Sequence, residues 1–119
     1  MGASLVLKSE RGRFRFYLND ADGKAVFTGS FIAEKDKALM YCGVMQSDAL
    51  ESHLQHERGP DGRWILKGFV RQTREGEKGD ISDAIPLGFS TIFDTEAELD
   101  AALKNIIDVA KVAEFIDET

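Results

Sequence analysis

The first half of the chain changes its hydrophobic period once, from strand-like to helical. Residues 13–19 alternate between apolar and polar side chains, which predicts a half-buried strand. Short strands are predicted before it at 4–8 and after it at 24–33, the second one following an Ala21-Asp22-Gly23 hairpin turn. Apolar residues then recur at helical spacing, so residues 36–50 are predicted to form an amphipathic helix.

The second half repeats this order of elements with longer turns. A weak strand is predicted at 53–58, an alternating strand at 63–71 and a third strand at 84–91. The connection between the last two strands, residues 72–83, is predicted to be an exposed and mobile hairpin loop. Residues 74–80 within it consist only of charged residues and glycine, which cannot contribute to a core.

The last helix has the clearest predicted start. Thr95 and Glu98 have the spacing of a capping box, in which each side chain satisfies a free backbone donor. From Asp94 or Thr95 the helix is predicted to run to about Ile116. The predicted fold is therefore α+β, with an antiparallel sheet of about six strands packed on two helices. It forms a single domain, 1–119, of two pseudo-repeated βββα units, 4–50 and 51–117.

Composition limits the class of protein. A chain of 119 residues with 43% hydrophobic content is long enough to bury a core of its own. Cys42 is the only cysteine, and the residues from Met1 to Ser4 lack the features of a signal peptide, so a reducing, cytoplasmic location is expected. The longest apolar runs are too short for a membrane span. The net charge of −6 argues against a strongly electrostatic DNA-binding protein.

One segment carries a family resemblance. The run from Gly12 to Leu18, the Asp22-Gly23 turn and the strand ending Thr28-Gly29-Ser30-Phe31 resemble the repeat of the YegP-like family, small bacterial proteins of unknown function. The likeness covers 5–49 moderately well and 51–113 poorly, and the long connection at 72–83 departs from the tight hairpin of that family. The resemblance implies an antiparallel sheet with helices on one face, and it carries no catalytic residues to transfer.

Candidate catalytic and metal-binding residues are few. His53 and His56 would point to opposite faces of a strand and lack further ligands, so they are interpreted as surface histidines and no metal site is predicted. Cys42 is either a nucleophile or an inert buried thiol, and its apolar neighbours favour the second interpretation. No nucleophile elbow or phosphate-binding glycine loop occurs. We therefore expect no cofactor, no catalytic residues and no enzymatic activity.

A basic stripe is the first candidate binding surface. In each half the second strand presents cations on the face opposite its main apolar one, next to Tyr17, Ile65 and Phe69. Such a surface either binds phosphates and stacks on bases, or is a solvated face with cross-strand ion pairs; the acidic net charge favours the second interpretation. The candidate residues are Arg13, Arg15, Tyr17, Arg63, Lys67 and Arg71.

The last predicted helix is the second candidate surface. Ile107, Val112, Phe115 and Ile116 widen its apolar stripe beyond a half-face, so that it must be buried on more than one side. Either a second chain covers it, or the sheet and first helix of the same chain do. The leading functional hypothesis is a non-enzymatic binding or interaction module that forms a homodimer. The alternative is a small anion-binding or nucleic-acid-binding protein that uses the basic stripe.

Overall fold

A computed structural model describes residues 2–71 and 84–119. The loop predicted at 72–83 lies outside the described residues. A short 3₁₀ helix, Leu50–His53, precedes the fourth strand. The strands and helices, in chain order, are β1 Ser4–Glu10, β2 Arg13–Asn19, β3 Ala25–Gly29, α1 Lys35–Met45, β4 Leu54–Arg58, β5 Trp64–Arg71, β6 Ala84–Phe93, α2 Glu96–Val112 and β7 Glu114–Glu118.

The strands form one sheet in the order β4-β5-β6-β3-β2-β1-β7. Five of the neighbouring pairs are antiparallel, whereas β7 runs parallel to β1. The α+β class and the number of helices are as predicted, but α1 ends at Met45 and not at the predicted Leu50, which belongs to the separate 3₁₀ helix. The expectation of a purely antiparallel sheet is wrong, because β7 adds a seventh strand and makes the sheet mixed.

The end of the last helix is also corrected. α2 stops at Val112, and Ala113 has extended backbone angles. The carbonyl of Ala113 accepts a hydrogen bond from the Gln46 side chain at 2.8 Å, and β7 then pairs Phe115 with Leu5 of β1. Because β1 offers an unpaired edge and aromatic and β-branched residues suit strands, the segment joins the sheet. The start of α2 is confirmed, since the Thr95 hydroxyl accepts from the Glu98 N–H at 3.2 Å.

Both helices pack on one face of the sheet. The opposite face, called the open face below, exposes Phe89 and Ile92. Neither helix of the described chain is both long enough and apolar enough to cross a membrane. The fully or almost fully buried core side chains include Leu5, Leu7, Phe16, Leu18, Phe27, Leu66 and Leu87 from the strands and Ala38, Tyr41, Met45, Leu99 and Ile106 from the helices.

A row of three glycines crosses the centre of the sheet. Gly88 pairs with Gly29 on one side and with Gly68 on the other. A β-carbon on Gly29 would lie 2.4 Å from the ring of Phe16. Since the glycines have no side chains, the rings of Phe16 and Phe27, stacked with centroids 6.3 Å apart, can lie against the backbone of the central strands.

Candidate functional site

The strand register shows which side chains are neighbours across the open face. One row of neighbouring side chains crosses the whole sheet and includes residues of both candidate surfaces described below. It contains two polar, two aromatic and two aliphatic side chains and a single cation. Its members, from β4 to β7, are Gln55, Lys67, Phe89, Thr28, Tyr17, Val6 and Ile116.

The predicted basic stripe does not form one continuous surface. Arg13, Arg15 and Tyr17 lie on β2 and Lys67 lies on β5, with β3 and β6 between them. Arg63 precedes β5 in the turn after β4. Arg71 is the last residue of β5, and its side chain lies outside the described part of the chain. The stripe is therefore divided into a β2 group and a β5 group.

Carboxylates neutralise the described cations of the β5 group. The Lys67 ammonium lies 3.1 Å from the Glu57 carboxylate on the neighbouring strand. Arg63 lies 3.7 Å from the carboxylates of both Asp61 and Asp94. This part of the stripe matches the solvated face with local ion pairs, which was the second interpretation of the sequence.

The β2 group is arranged differently. The Arg15 guanidinium lies over the ring of Phe31, 3.7 Å from its centroid, and its Nε atom is buried without a hydrogen-bond partner among the described residues. Tyr17 donates a hydrogen bond to Glu10 at 2.7 Å. Burial and this hydrogen bond raise the pKa of Tyr17, while Arg15 partly opposes the rise. Arg13 is exposed beside them.

An apolar patch lies on β5 and β6 of the open face. Phe89 is 39% exposed and Ile92 is 60% exposed, which is high for large apolar side chains. A shallow cavity of about 210 Å³ is lined by Ile65, Phe69 and Phe89 together with Lys67, Ser30, Pro86 and two glycines. We define the apolar patch as Ile65, Phe69, Phe89 and Ile92.

Irregular pairing of β6 brings Phe89 and Ile92 onto the same face. Lys67 pairs with Phe89 and Ile65 pairs with Ile92, so one residue of β5 between these pairs lies opposite two residues of β6. The buried Ser90 hydroxyl occupies this bulge, accepting from the Leu66 N–H at 3.0 Å. Residues three apart in a regular strand point to opposite faces, and alternation alone could not have identified this pair. Sequence analysis did not predict this bulge, and it therefore did not predict the apolar patch.

The four residues predicted to form a helical interface lie on two elements. Ile107 of α2 is partly buried against the core, and Val112, at the end of α2, is 75% exposed. Phe115 and Ile116 belong to β7 and point to opposite sides of the sheet. The helical stripe that motivated the interface prediction is therefore not formed, because half of its members are strand residues.

The cysteine and the two histidines lie in three different elements of the fold. Cys42 is buried in α1, where burial and then the negative charge of Asp117 raise its pKa to about 12. His53 Nδ1 lies 3.0 Å from the Phe69 carbonyl, and His56 lies 3.5 Å from the Asp100 carboxylate. Within residues 2–71 and 84–119, no three His, Cys, Asp or Glu side chains are grouped so as to hold a metal ion.

The fold of the chain is similar to that of two solved structures. The chain is similar to the protein of unknown function yegP from E. coli, with 17% sequence identity, a TM-score of 0.78, and coverage of 100% of this chain and 95% of that one. The chain has a YegP-like fold. It is also similar to the UPF0339 protein SO3888 from Shewanella oneidensis, with 16% identity, a TM-score of 0.76, and coverage of 98% and 92%. No protein-family model and no curated protein sequence matches the chain.

Proposed function

We propose that the chain is a non-enzymatic interaction module that pairs with a second copy of itself through the open face of its sheet. The observation that carries this proposal is the apolar patch of Ile65, Phe69, Phe89 and Ile92, exposed on the face opposite the helices. Contiguous apolar surface of this kind is characteristic of interaction sites.

The charges of the open face support a second copy as the partner. Strand alternation places four cations and four carboxylates with described side chains on this face, so they balance. The acidic surplus of the chain, whose net charge is −6, is carried by other residues. When two copies meet through their open faces, the surplus negative charges of one copy stay away from those of the other. The open-face charges are Lys8, Arg13, Arg15 and Lys67 against Glu10, Glu57, Glu114 and Glu118.

The dimensions of the face are adequate for a dimer. Seven strands spaced about 4.8 Å apart give a face roughly 30 Å wide and about 20 Å long, on the order of 600 Å² in projection, close to the roughly 800 Å² per partner of a standard interface. A self-complementary two-fold contact would stack the two sheets about 10 Å apart, with the apolar patches interleaved.

The charges of β7 favour the open face over a dimer formed edge to edge through β7. An antiparallel pairing of two β7 strands centred on Ile116 would set Glu114 of one copy opposite Glu118 of the other. Like charges placed directly opposite each other destabilise a strand pair. Charged residues on an edge strand are a common protection against such pairing.

Sedimentation equilibrium of matched variants tests the proposal. The wild-type chain of 13.2 kDa should approach twice that mass as its concentration rises. Ile92→Glu should remain monomeric because it places a charge in the patch. Val112→Glu is the control, since Val112 is exposed at the end of α2 and its change should leave the dimer intact. A wild-type chain that stays monomeric at millimolar concentration contradicts the proposal, as does dissociation by Val112→Glu alone.

We also infer that the two halves arose by duplication, within the YegP-like family. The sheet order supports this inference, because the third strands of both halves, β3 and β6, lie side by side and the first strands lie farther out. An experimental structure in which Ser4–Met45 superposes on Leu54–Val112 element by element is the expected result, and a different strand order would contradict it. The cytoplasmic location expected from the single cysteine is proposed with it, testable by cell fractionation.

A further inference from the structure

We infer that the β1–β2 hairpin carries a binding site for a phosphate monoester group, formed by Arg11, Arg13 and Arg15 beside Phe31. We call these three arginines the arginine cluster. The site lies toward one end of the open face, and a single copy of the chain supplies all of its residues, so it is formed in the monomer.

The hairpin turn brings the three arginines together. Arg11 and Gly12 form a two-residue turn with φ values of +52° and +78°, the signature of a type I′ hairpin. Glu10 and Arg13 pair across this turn. Arg13 and Arg15 share one face of β2 because they are two residues apart. A cavity of about 340 Å³ is lined by Glu10, Arg11, Arg13 and Phe31.

The cluster is short of counter-charges. No carboxylate of residues 2–71 or 84–119 forms an ion pair with any of its three guanidinium groups. The other two cations of the predicted stripe with described side chains, Arg63 and Lys67, are both paired with carboxylates. Glu10, the carboxylate that lines the cavity, already accepts a hydrogen bond from Tyr17.

The charge of the site matches a phosphate monoester. Three positive charges less the one negative charge of Glu10 leave a local charge of +2, and a phosphate monoester carries about −1.5 to −2 near neutral pH. Guanidinium forks bind phosphate oxygens in pairs. The net charge of −6 on the chain acts weakly here, since charges beyond roughly 8 Å are screened at physiological salt.

Phe31 prepares Arg15 for this role. Its ring stacks on the guanidinium at 3.7 Å, which restricts the long side chain before any ligand arrives and reduces the entropy lost on binding. Phe31 itself is 47% exposed. A planar group attached to the phosphate can therefore reach an aromatic surface next to the arginines.

Titration calorimetry at low salt tests the site with three probes: inorganic phosphate, a nucleoside 5′-monophosphate and the same nucleoside without phosphate. Binding of a phosphorylated probe and no binding of the nucleoside is the expected result. Arg13→Ala and Arg11→Asn should each weaken binding by about tenfold or more, as expected when a charge-assisted hydrogen bond is lost. Asparagine suits the positive φ of position 11, so that variant keeps the turn.

Two controls keep the outcomes distinct. Arg63→Ala and Lys67→Ala remove cations that are already paired with carboxylates and that lie away from β2. The affinity for phosphate should therefore change by less than about twofold, and exposed ion pairs contribute little to stability, so both variants should fold. Ile92→Glu keeps the arginine cluster and is expected to be monomeric, so it should bind phosphate at least as tightly as the wild type, whose pairing through the open face would cover the cluster. Binding by Ile92→Glu therefore tests this site separately from the proposed dimer. The inference would be overturned if neither inorganic phosphate nor the nucleoside 5′-monophosphate bound, or if the nucleoside bound as tightly as its monophosphate. An equal loss of affinity in Arg63→Ala and Arg13→Ala would also overturn it.

Discussion

A β-carbon placed on Gly88 would lie 2.4 Å from the carbonyl oxygen of Thr28 and 2.7 Å from the ring of Phe27. Gly88→Ala should therefore lower the free energy of unfolding by about 3 kcal/mol or more, because neither the backbone nor the packed ring can move aside freely. Gly43→Ala is the matched control. Gly43 has open space around it in α1, and alanine there should raise stability by roughly 0.5–1 kcal/mol. Urea denaturation measures both, and equal effects would contradict the glycine-row packing.

Ser90→Ala tests the β6 bulge. The change leaves the buried Leu66 N–H without its acceptor and should destabilise the chain by about 1–3 kcal/mol. Ser52, whose hydroxyl donates to the Ala49 carbonyl at an exposed position, offers a control whose replacement should change stability by less than about 0.5 kcal/mol. Denaturation midpoints that shift equally for Ser90→Ala and Ser52→Ala would show that the bulge does not need the hydroxyl.

Arg11→Asn should stabilise the β1–β2 hairpin. Arg11 holds φ at +52°, which is unfavourable for a side chain other than asparagine, aspartate or glycine. Asparagine before Gly12 gives the preferred type I′ sequence, so the free energy of unfolding should rise by a few tenths to about 1 kcal/mol. A fall in the thermal midpoint would indicate that the Arg11 side chain makes a stabilising contact of its own.

Cys42 should be unreactive in the folded protein. Burial raises the pKa of its thiol from 9.0 to about 12, so the attacking thiolate is scarce at pH 8. Because the folded chain holds this proton more tightly than the unfolded chain, the resulting stability is full below pH 9 and is lost as the pH rises toward 12. Ellman's reagent at pH 8 should react promptly only after unfolding. Equally fast reaction in native buffer would contradict the burial of this thiol.

Elements defined by local signals were predictable from the sequence. β2 spans Arg13–Asn19 as predicted, because an uninterrupted alternation lies between two turns. The start of α2 followed from Thr95 and Glu98, whose capping geometry depends only on neighbouring residues.

Elements that depend on distant partners were not predictable. Phe115 and Ile116 continue the apolar spacing of α2, and what places them in β7 is the free edge of β1, more than a hundred residues earlier. The apolar patch depends on the bulge at Ser90, which brings Phe89 and Ile92 onto one face. The division of the basic stripe likewise follows from the strand order, which inserts β3 and β6 between β2 and β5. In each case pairing between distant strands decided the outcome.

The pairing of two open faces is tested most directly by intermolecular nuclear Overhauser effects. Equal amounts of ¹³C-labelled and unlabelled chain are mixed, and a filtered experiment records only contacts between copies. Cross-peaks are expected from the Ile92 methyl groups of one copy to the Phe89 ring of the other, since both side chains are exposed in the apolar patch. The absence of intermolecular cross-peaks, or cross-peaks confined to Val112, Phe115 and Leu39 on the helical side, would contradict it.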